Sequence, residues 1–257
     1  MTLTPRLTAV VGALCTALLV FTLPQASRAD EFSKPQTTAI EKIVHDYLVT
    51  HPEVLEEAME ELQKRQQASE AAKHKDAVKA HAEQLFSSPD QVVLGNPNGN
   101  VTFVEFFDYN CGYCKHAMGD MLTLLKSDPN LKVVLKEFPV LGQGSVEAAR
   151  VAVAVRMQAP KKYLAFHTKL LGGRGHADEA RALAVAKEIG LDMARVHKDM
   201  KSPEVEKTLK QDFGLAQALG LNGTPSYVVG DNVIVGAVGL SALKQKIANA
   251  RCGKDAC

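Results

Sequence analysis

A Cys-x-x-Cys at the junction of an apolar strand and a helix constrains this chain more than any other stretch. Residues 100–118 read NVTFVEFFDYNCGYCKHAM. Val101, Phe103, Val104, Phe106 and Phe107 form a near-continuous apolar run, the pattern of a strand buried on both faces. The two cysteines, Cys111 and Cys114, then open a helix. A thiolate is a far better nucleophile than a thiol. The unsatisfied N–H groups and positive dipole end of a helical first turn favour the thiolate of Cys111. Cys114, one turn on, is placed to close a disulfide with it. Zinc is the competing use of such a pair, but zinc sites need a second Cys-x-x-Cys or a spaced His pair, and no second Cys-x-x-Cys follows.

Glu105 is the anomaly in the strand. A carboxylate buried among these residues costs on the order of several kcal/mol unless it is paired or protonated. Its expected role is a proton relay to Cys114; a strand-edge residue in water is the plainer alternative. Residues 131–138, LKVVLKEF, read as a second strand and complete a β-α-β unit expected to cross over right-handedly. Lys136 in that strand is a candidate partner for Glu105, or else a solvent-facing lysine.

The 257 residues suggest one or two domains. Arg6 precedes an apolar run at residues 7–23, and Ser27-Arg28-Ala29 ends in the small residues of a signal-peptidase site. We expect a secretory signal peptide cleaved after Ala29. Cleavage removes Arg6 and Arg28, leaving 28 basic against 29 acidic side chains. That near-neutral balance implies neither nucleic acid nor an anionic membrane as partner. Cys15 leaves with the signal, so four cysteines remain. In an oxidising compartment Cys252 and Cys257, in the terminal CGKDAC, are expected to form a small structural disulfide. A second redox pair or a metal grip is the alternative there.

Residues 37–86 contain no glycine and read as helix, broken at His51-Pro52. Ile40, Ile43, Val44, Tyr47 and Leu48, then Leu55, Ala58, Met59 and Leu62, recur at helical spacing. Beyond Leu62 the helix turns polar. We expect residues 30–88 to be an oligomerisation arm; folding back onto its own domain is the alternative. His74 and His81 are too few for a metal site and read as solvated.

Residues 91–94 read as a short edge strand, and 143–220 as a helical insertion. Asp178, Asp192 and Ser202-Pro203 are credible helix starts, and Ser145 a credible cap. Gly172-Gly173-Arg174-Gly175 lacks the strand and Lys-Ser/Thr of a phosphate loop. Thr224-Pro225 precedes the apolar run at 226–229, so Pro225 is an edge residue or a cis-proline. Asp231-Asn232 turns into a last strand, and residues 240–250 form a final helix.

This order of elements resembles the DsbA-like branch of the thioredoxin superfamily across roughly residues 90–250. FFDYNCGYCK, the later Gly-Thr-Pro before a strand, and the polar helical N-terminus resemble the ScsC-type secreted thiol–disulfide proteins. The resemblance implies a thioredoxin fold, α/β, with an inserted helical domain over residues 89–257, preceded by the helical arm. It implies Cys111 as nucleophile, Cys114 as resolving thiol, Glu105 as buried acid with Lys136 its basic partner, and Thr224-Pro225 as the cis-proline loop that holds substrate backbone. Gly112-Tyr113 and the Thr before Pro225 resemble isomerase-like members rather than DsbA oxidases. The expected partners are secreted or periplasmic proteins with cysteines, a membrane redox partner and sister chains, with no cofactor and no metal. The expected activity is disulfide isomerisation or reduction in the periplasm, a DsbA-like dithiol oxidase being the alternative. A reading of another class is a Cu(I)-binding copper-tolerance protein using the two thiols as soft ligands.

Overall fold

A computed structural model describes residues 32–253. The expected signal peptide and Cys257 lie outside the described residues. Among those residues no helix is long and apolar enough to cross a membrane. The chain divides into two compact units, at Met59 and Glu60.

In the first unit, α1 (Lys34–Thr50) starts at a capping box in which Ser33 and Gln36 satisfy each other's orphan groups, with Pro35 in the first turn. Its apolar positions stand in solvent: Ile40, Ile43, Val44 and Tyr47 are all exposed. His51-Pro52 ends α1, as the Pro rule requires, and α2 runs over Glu53–Ala80. Leu55 and Met59 at its start are exposed as well.

The second unit is built on a five-stranded mixed sheet in the order β1-β3-β2-β4-β5. The strands are β1 (Val92–Gly95), β2 (Val101–Phe107), β3 (Leu131–Glu137), β4 (Ser226–Val229) and β5 (Asn232–Val235). β2 and β3 are parallel, and every other pairing is antiparallel. Between β2 and β3 runs α4 (Gly112–Ser127), so the expected β-α-β unit is present. Alternate residues of β2 feed two cores. Phe103 and Phe107 join Met121 and Leu124 of α4 on one face; Val104 and Phe106 join the other. Fully burying each of these phenylalanines contributes about 1.5–3 kcal/mol.

The helical stretch comprises α5 (Gln143–Gln158), α6 (Tyr163–Gly172), α7 (Glu179–Glu188), α8 (Met193–Asp199) and α9 (Pro203–Ala218). Asp178 and Asp192 cap α7 and α8 by accepting from the Arg181 and Arg195 N–H groups, and Ser202 is the cap residue of α9. Ser145 is not a cap. Gly142 begins α5, and Ser145 is buried with its hydroxyl donated to Asp108. The final helix, α10 (Leu240–Cys252), packs on α4 and β2.

Two expectations about the chain before β1 change. The long helix stops at Ala80, and a separate short α3 (Ala82–Phe86) follows. Moreover Val78 and Leu85 are buried in the second core with Val104, Phe106, Leu215 and Val228. A boundary at residue 88 would remove both from that core. The reason is sequence-local: the polar stretch still presents one apolar residue at the end of α2 and another in α3, which suffices to anchor its end.

Candidate active site

The Cys111 backbone sits in the extended region at the N-cap of α4, and its Sγ accepts a hydrogen bond from the Cys114 N–H at 3.3 Å. The same sulfur lies 3.1 Å from the Thr224 carbonyl oxygen, to which its S–H donates. Both thiols are free. Cys111 keeps 7% of its surface exposed, whereas Cys114 is fully enclosed. Burial pushes the Cys114 thiol well above its usual range. One thiol is therefore at the surface of the site and the other beneath it.

The Thr224–Pro225 peptide is cis. Pro225 is buried, and its carbonyl accepts from the Gly236 N–H at 2.8 Å, tying the loop to the end of β5. Ser226 donates its hydroxyl to Gly223, closing the other side of the loop. Gly112 and Tyr113 face outward, and Tyr113 is 69% exposed at the mouth of the site. Nothing lies within 4 Å of where a Cβ on Gly112 would sit.

Glu105 is buried at 2% exposure, and its Oε2 has no hydrogen-bond partner. It lies on the face of β2 that also carries Phe103 and Phe107, the face covered by α4 and Cys114. Directly opposite on β4 is Tyr227, whose hydroxyl is raised by burial and by the nearby Glu105 and cysteines. Burial, helped by the charge of Asp120, pushes the Glu105 carboxyl up to about 8. The group is thus protonated near neutral pH and changes state just above it.

Lys136 is not the partner of Glu105. The parallel register pairs Glu105 with Leu135 and Phe106 with Lys136, which places the lysine on the opposite face of the sheet. There it is 3% exposed, 3.3 Å from Asp212 of α9, and donates to the Gln84 carbonyl of α3 at 3.0 Å. Burial lifts the Asp212 carboxyl to about 6 against the pull of Lys136. Asp212 also accepts from the Glu137 N–H at 3.1 Å. Removing either member would strand a buried charge, a loss of about 3–5 kcal/mol. Lys136 holds α3 and α9 to the sheet.

The segment leading into the cysteines is fixed by groups that the sequence did not single out. Asp108 accepts from the Asn110 N–H at 2.7 Å, from Ser145 Oγ at 2.7 Å and from the Val140 and Leu141 N–H groups at 2.8 and 2.9 Å. Asn110 in turn spans to Ser145 and to both backbone groups of Ala177. Asp-x-Asn is an Asx-turn pattern, the one local signal that could have drawn attention to it. Beneath it the Tyr109 and Tyr163 hydroxyls meet at 3.2 Å, and Tyr163 donates to Glu137 at 2.7 Å. Burial raises all three. His167 packs on both tyrosine rings, and burial lowers it to about 3, so it is neutral.

Cys252 is disulfide-bonded; its expected partner Cys257 lies outside the described residues. No three His, Cys, Asp or Glu side chains converge as a metal-holding group among the described residues.

Comparison with known proteins agrees with this geometry. Residues 102–248 match the DSBA-like thioredoxin domain family, and residues 36–69 match the N-terminal domain of the copper resistance protein ScsC. A thioredoxin-like oxidoreductase from Silicibacter pomeroyi is 48% identical, with a TM-score of 0.64 over 66% of this chain and 97% of that one. A linker-deletion variant of Proteus mirabilis ScsC is 26% identical, with a TM-score of 0.66 over 88% of this chain and all (100%) of that one. Disulfide bond formation protein D of Bacillus subtilis is 27% identical over 177 residues, 64% of this chain and 78% of that protein. The chain spans 22% and 25% of the length of two curated Na+/H+ antiporters that it also matches.

Proposed function

From the fact that this chain belongs to the DSBA-like thioredoxin domain family, we propose that it is a periplasmic protein thiol–disulfide oxidoreductase working as an isomerase or reductase on secreted proteins. The observation that carries this reading is the stacking of chemistry at one helix start. A surface thiol touches the cis-proline loop, a buried thiol lies behind it, and an unpartnered buried carboxyl lies on the sheet face beneath.

The Cys111 thiolate attacks one sulfur of a substrate disulfide. A Cys111–substrate S–S bond forms, and the other substrate sulfur leaves as a thiolate and takes up a proton. Substrate backbone lies beside Thr224-Pro225 during this step. The freed substrate thiol then attacks a different substrate disulfide, and the thiol released there attacks the Cys111–substrate bond, which frees Cys111 as a thiolate and leaves the substrate with re-paired disulfides; this is isomerisation. Otherwise Cys114 gives its proton to Glu105 in those molecules whose carboxyl is ionised, and attacks the Cys111 sulfur. Reduced substrate leaves, and two electrons have passed to it from the enzyme, which is left as the Cys111–Cys114 disulfide. A membrane redox partner resets that disulfide. Gly112-Tyr113 and Thr224 favour this direction over a dithiol oxidase, because neither intervening residue supplies the His found in DsbA-type oxidases.

Isomerisation gains from several sites around one cleft, and the exposed Ile43, Val44, Tyr47 and Met59 supply a surface for sister chains. Reduced protein should restore activity to a substrate enzyme carrying scrambled disulfides, and the oxidised protein should not. An oxidase would instead, in its oxidised form, introduce disulfides into the fully reduced substrate enzyme and leave the scrambled one unchanged. Sedimentation should give an oligomer for the chain from residue 30 and a monomer once residues 30–59 are removed. A monomer in both ends the oligomer reading. The copper reading draws on the name of the family matched at residues 36–69. Tight Cu(I) binding at Cys111 and Cys114 without any thiol exchange would favour it.

A further inference from the structure

A groove of about 300 Å³ opens directly beside Cys111, between the start of α4 and the loop joining α6 to α7. Its walls include Asn110, Lys115, Gly173, Gly175 and His176, and no carboxylate lines it. Lys115 is four residues after Cys111, so it lies one helical turn along on the same face, about 6 Å further on. Its ammonium donates to the Gly173 carbonyl at 2.6 Å, which bends the lysine across the groove.

The loop itself adds positive charge. Arg174 stands exposed between two of the lining glycines. The Arg181 guanidinium packs under the loop so closely that a Cβ on Gly173 would clash with it. A Cβ on Gly144 would clash likewise with the His176 ring. The glycines therefore make room for the two side chains. Lys169 of α6, by contrast, forms an ion pair with Glu188. Lys115, Arg174 and Arg181 have no ion-pair partner among the described residues. Asp178, next to the loop in sequence, is committed to capping α7. A groove with unpaired cations, no carboxylate and a reactive sulfur at one end has a preferred occupant.

We infer that this groove selects substrate segments carrying an acidic side chain within about two residues of the reactive cysteine, two residues being the extended reach that matches the step from Cys111 to Lys115. The inference rests on the thiol–disulfide reading above and names the substrate class for the same site. Thr224-Pro225 holds backbone irrespective of sequence, and the groove adds the side-chain preference. Attraction of this kind acts on encounter and register and is screened by salt.

The test uses the reduced full chain and short peptides whose single cysteine is joined to thionitrobenzoate. Attack of Cys111 on the peptide sulfur forms the mixed disulfide and releases the coloured thiolate, so bonds and electrons balance without another reagent. Peptides differ only in Glu, Gln or Lys at the two positions on either side of the cysteine. At low salt the Glu peptides should react about three- to tenfold faster in kcat/KM than the Lys peptides, the scale of a few exposed charge contacts, and 0.5 M salt should level them. Lys115→Glu should reverse the order. Arg174→Gln should shrink the ratio of the Glu to the Lys peptide rates; its side chain is exposed, so this variant folds even if Lys115→Glu disturbs the loop. Equal rates for all three peptides at low salt would overturn the inference. Failure of every peptide to react would instead overturn the thiol-exchange reading beneath it.

Discussion

Cys111→Ala should abolish thiol–disulfide exchange, whereas Cys114→Ala should leave the first attack intact and accumulate mixed disulfides with substrate. The asymmetry follows from geometry. Cys111 is the thiol that reaches the surface and touches the cis-proline loop. Cys114 is fully enclosed and its thiol is held protonated by burial, so it cannot replace Cys111 as the first nucleophile. With Cys114 gone, nothing in the site attacks the Cys111–substrate bond from within, and release must wait for an outside thiol. Mass spectrometry of the protein after exposure to a disulfide-bonded substrate reads both outcomes. The Cys114→Ala protein should carry substrate that reductant removes, and the Cys111→Ala protein should carry none. Equal residual exchange in the two variants would refute the assigned order.

Glu105→Gln should remove a large pH-dependent loss of stability and slow resolution by Cys114. In the folded protein the Glu105 carboxyl titrates at about 8, against an ordinary value of 4.5. Its folded pKa is raised, so the folded state binds the proton more tightly than the unfolded state. Below about 4.5 both states are protonated and nothing is lost. As pH rises from there towards 8, the unfolded chain ionises and the folded one does not, so stability falls across that window and levels off above it. Between pH 5 and 7.5 the loss is about 3 kcal/mol for the reduced protein. Denaturant unfolding at those two pH values should therefore show a fall about 3 kcal/mol smaller in Glu105→Gln than in the parent. Glu137, buried and raised as well, keeps a residual slope in both. The same substitution removes the group that, once ionised above about pH 8, can accept the Cys114 proton, so above that pH resolution of the mixed disulfide should be about a hundredfold slower in Glu105→Gln, the usual scale of a positioned acid–base group, and the two proteins should converge as pH falls below it. Parallel stability curves would show that the carboxyl is not held protonated. An unchanged resolution rate above about pH 8 would show that it takes no proton from Cys114.

The sequence was most legible where the physical cause is local. The apolar run of β2, the cysteines at a helix start, the caps at Asp178, Asp192 and Ser202, and the break at His51-Pro52 are each set by a few adjacent residues. The glutamate inside the strand was conspicuous because its chemistry conflicts with its neighbours. What lay beyond reach depended on register and on contacts between distant segments. Lys136 sits in the strand beside that of Glu105, and only the pairing of Glu105 with Leu135 shows that the two side chains point to opposite faces. Its true partner, Asp212, arrives from α9. The Asp108–Ser145–Asn110–Ala177 lattice joins three separate parts of the chain, and each residue looks ordinary alone. Ser145 even mimics a helix cap. The anchoring of Val78 and Leu85 was hidden by the polar residues around them, because a hydrophobic stripe of two residues barely rises above that background.

The central claim is that the Cys111–Cys114 pair is spent in giving electrons to substrate disulfides, and the redox state of that pair in living cells tests it most directly. Thiols should be alkylated in intact cells and the modified protein resolved by mass. A pair found mainly reduced is the expected result and requires a dedicated electron donor. A pair found mainly oxidised would contradict the isomerase and reductase reading and make the protein a donor of disulfides.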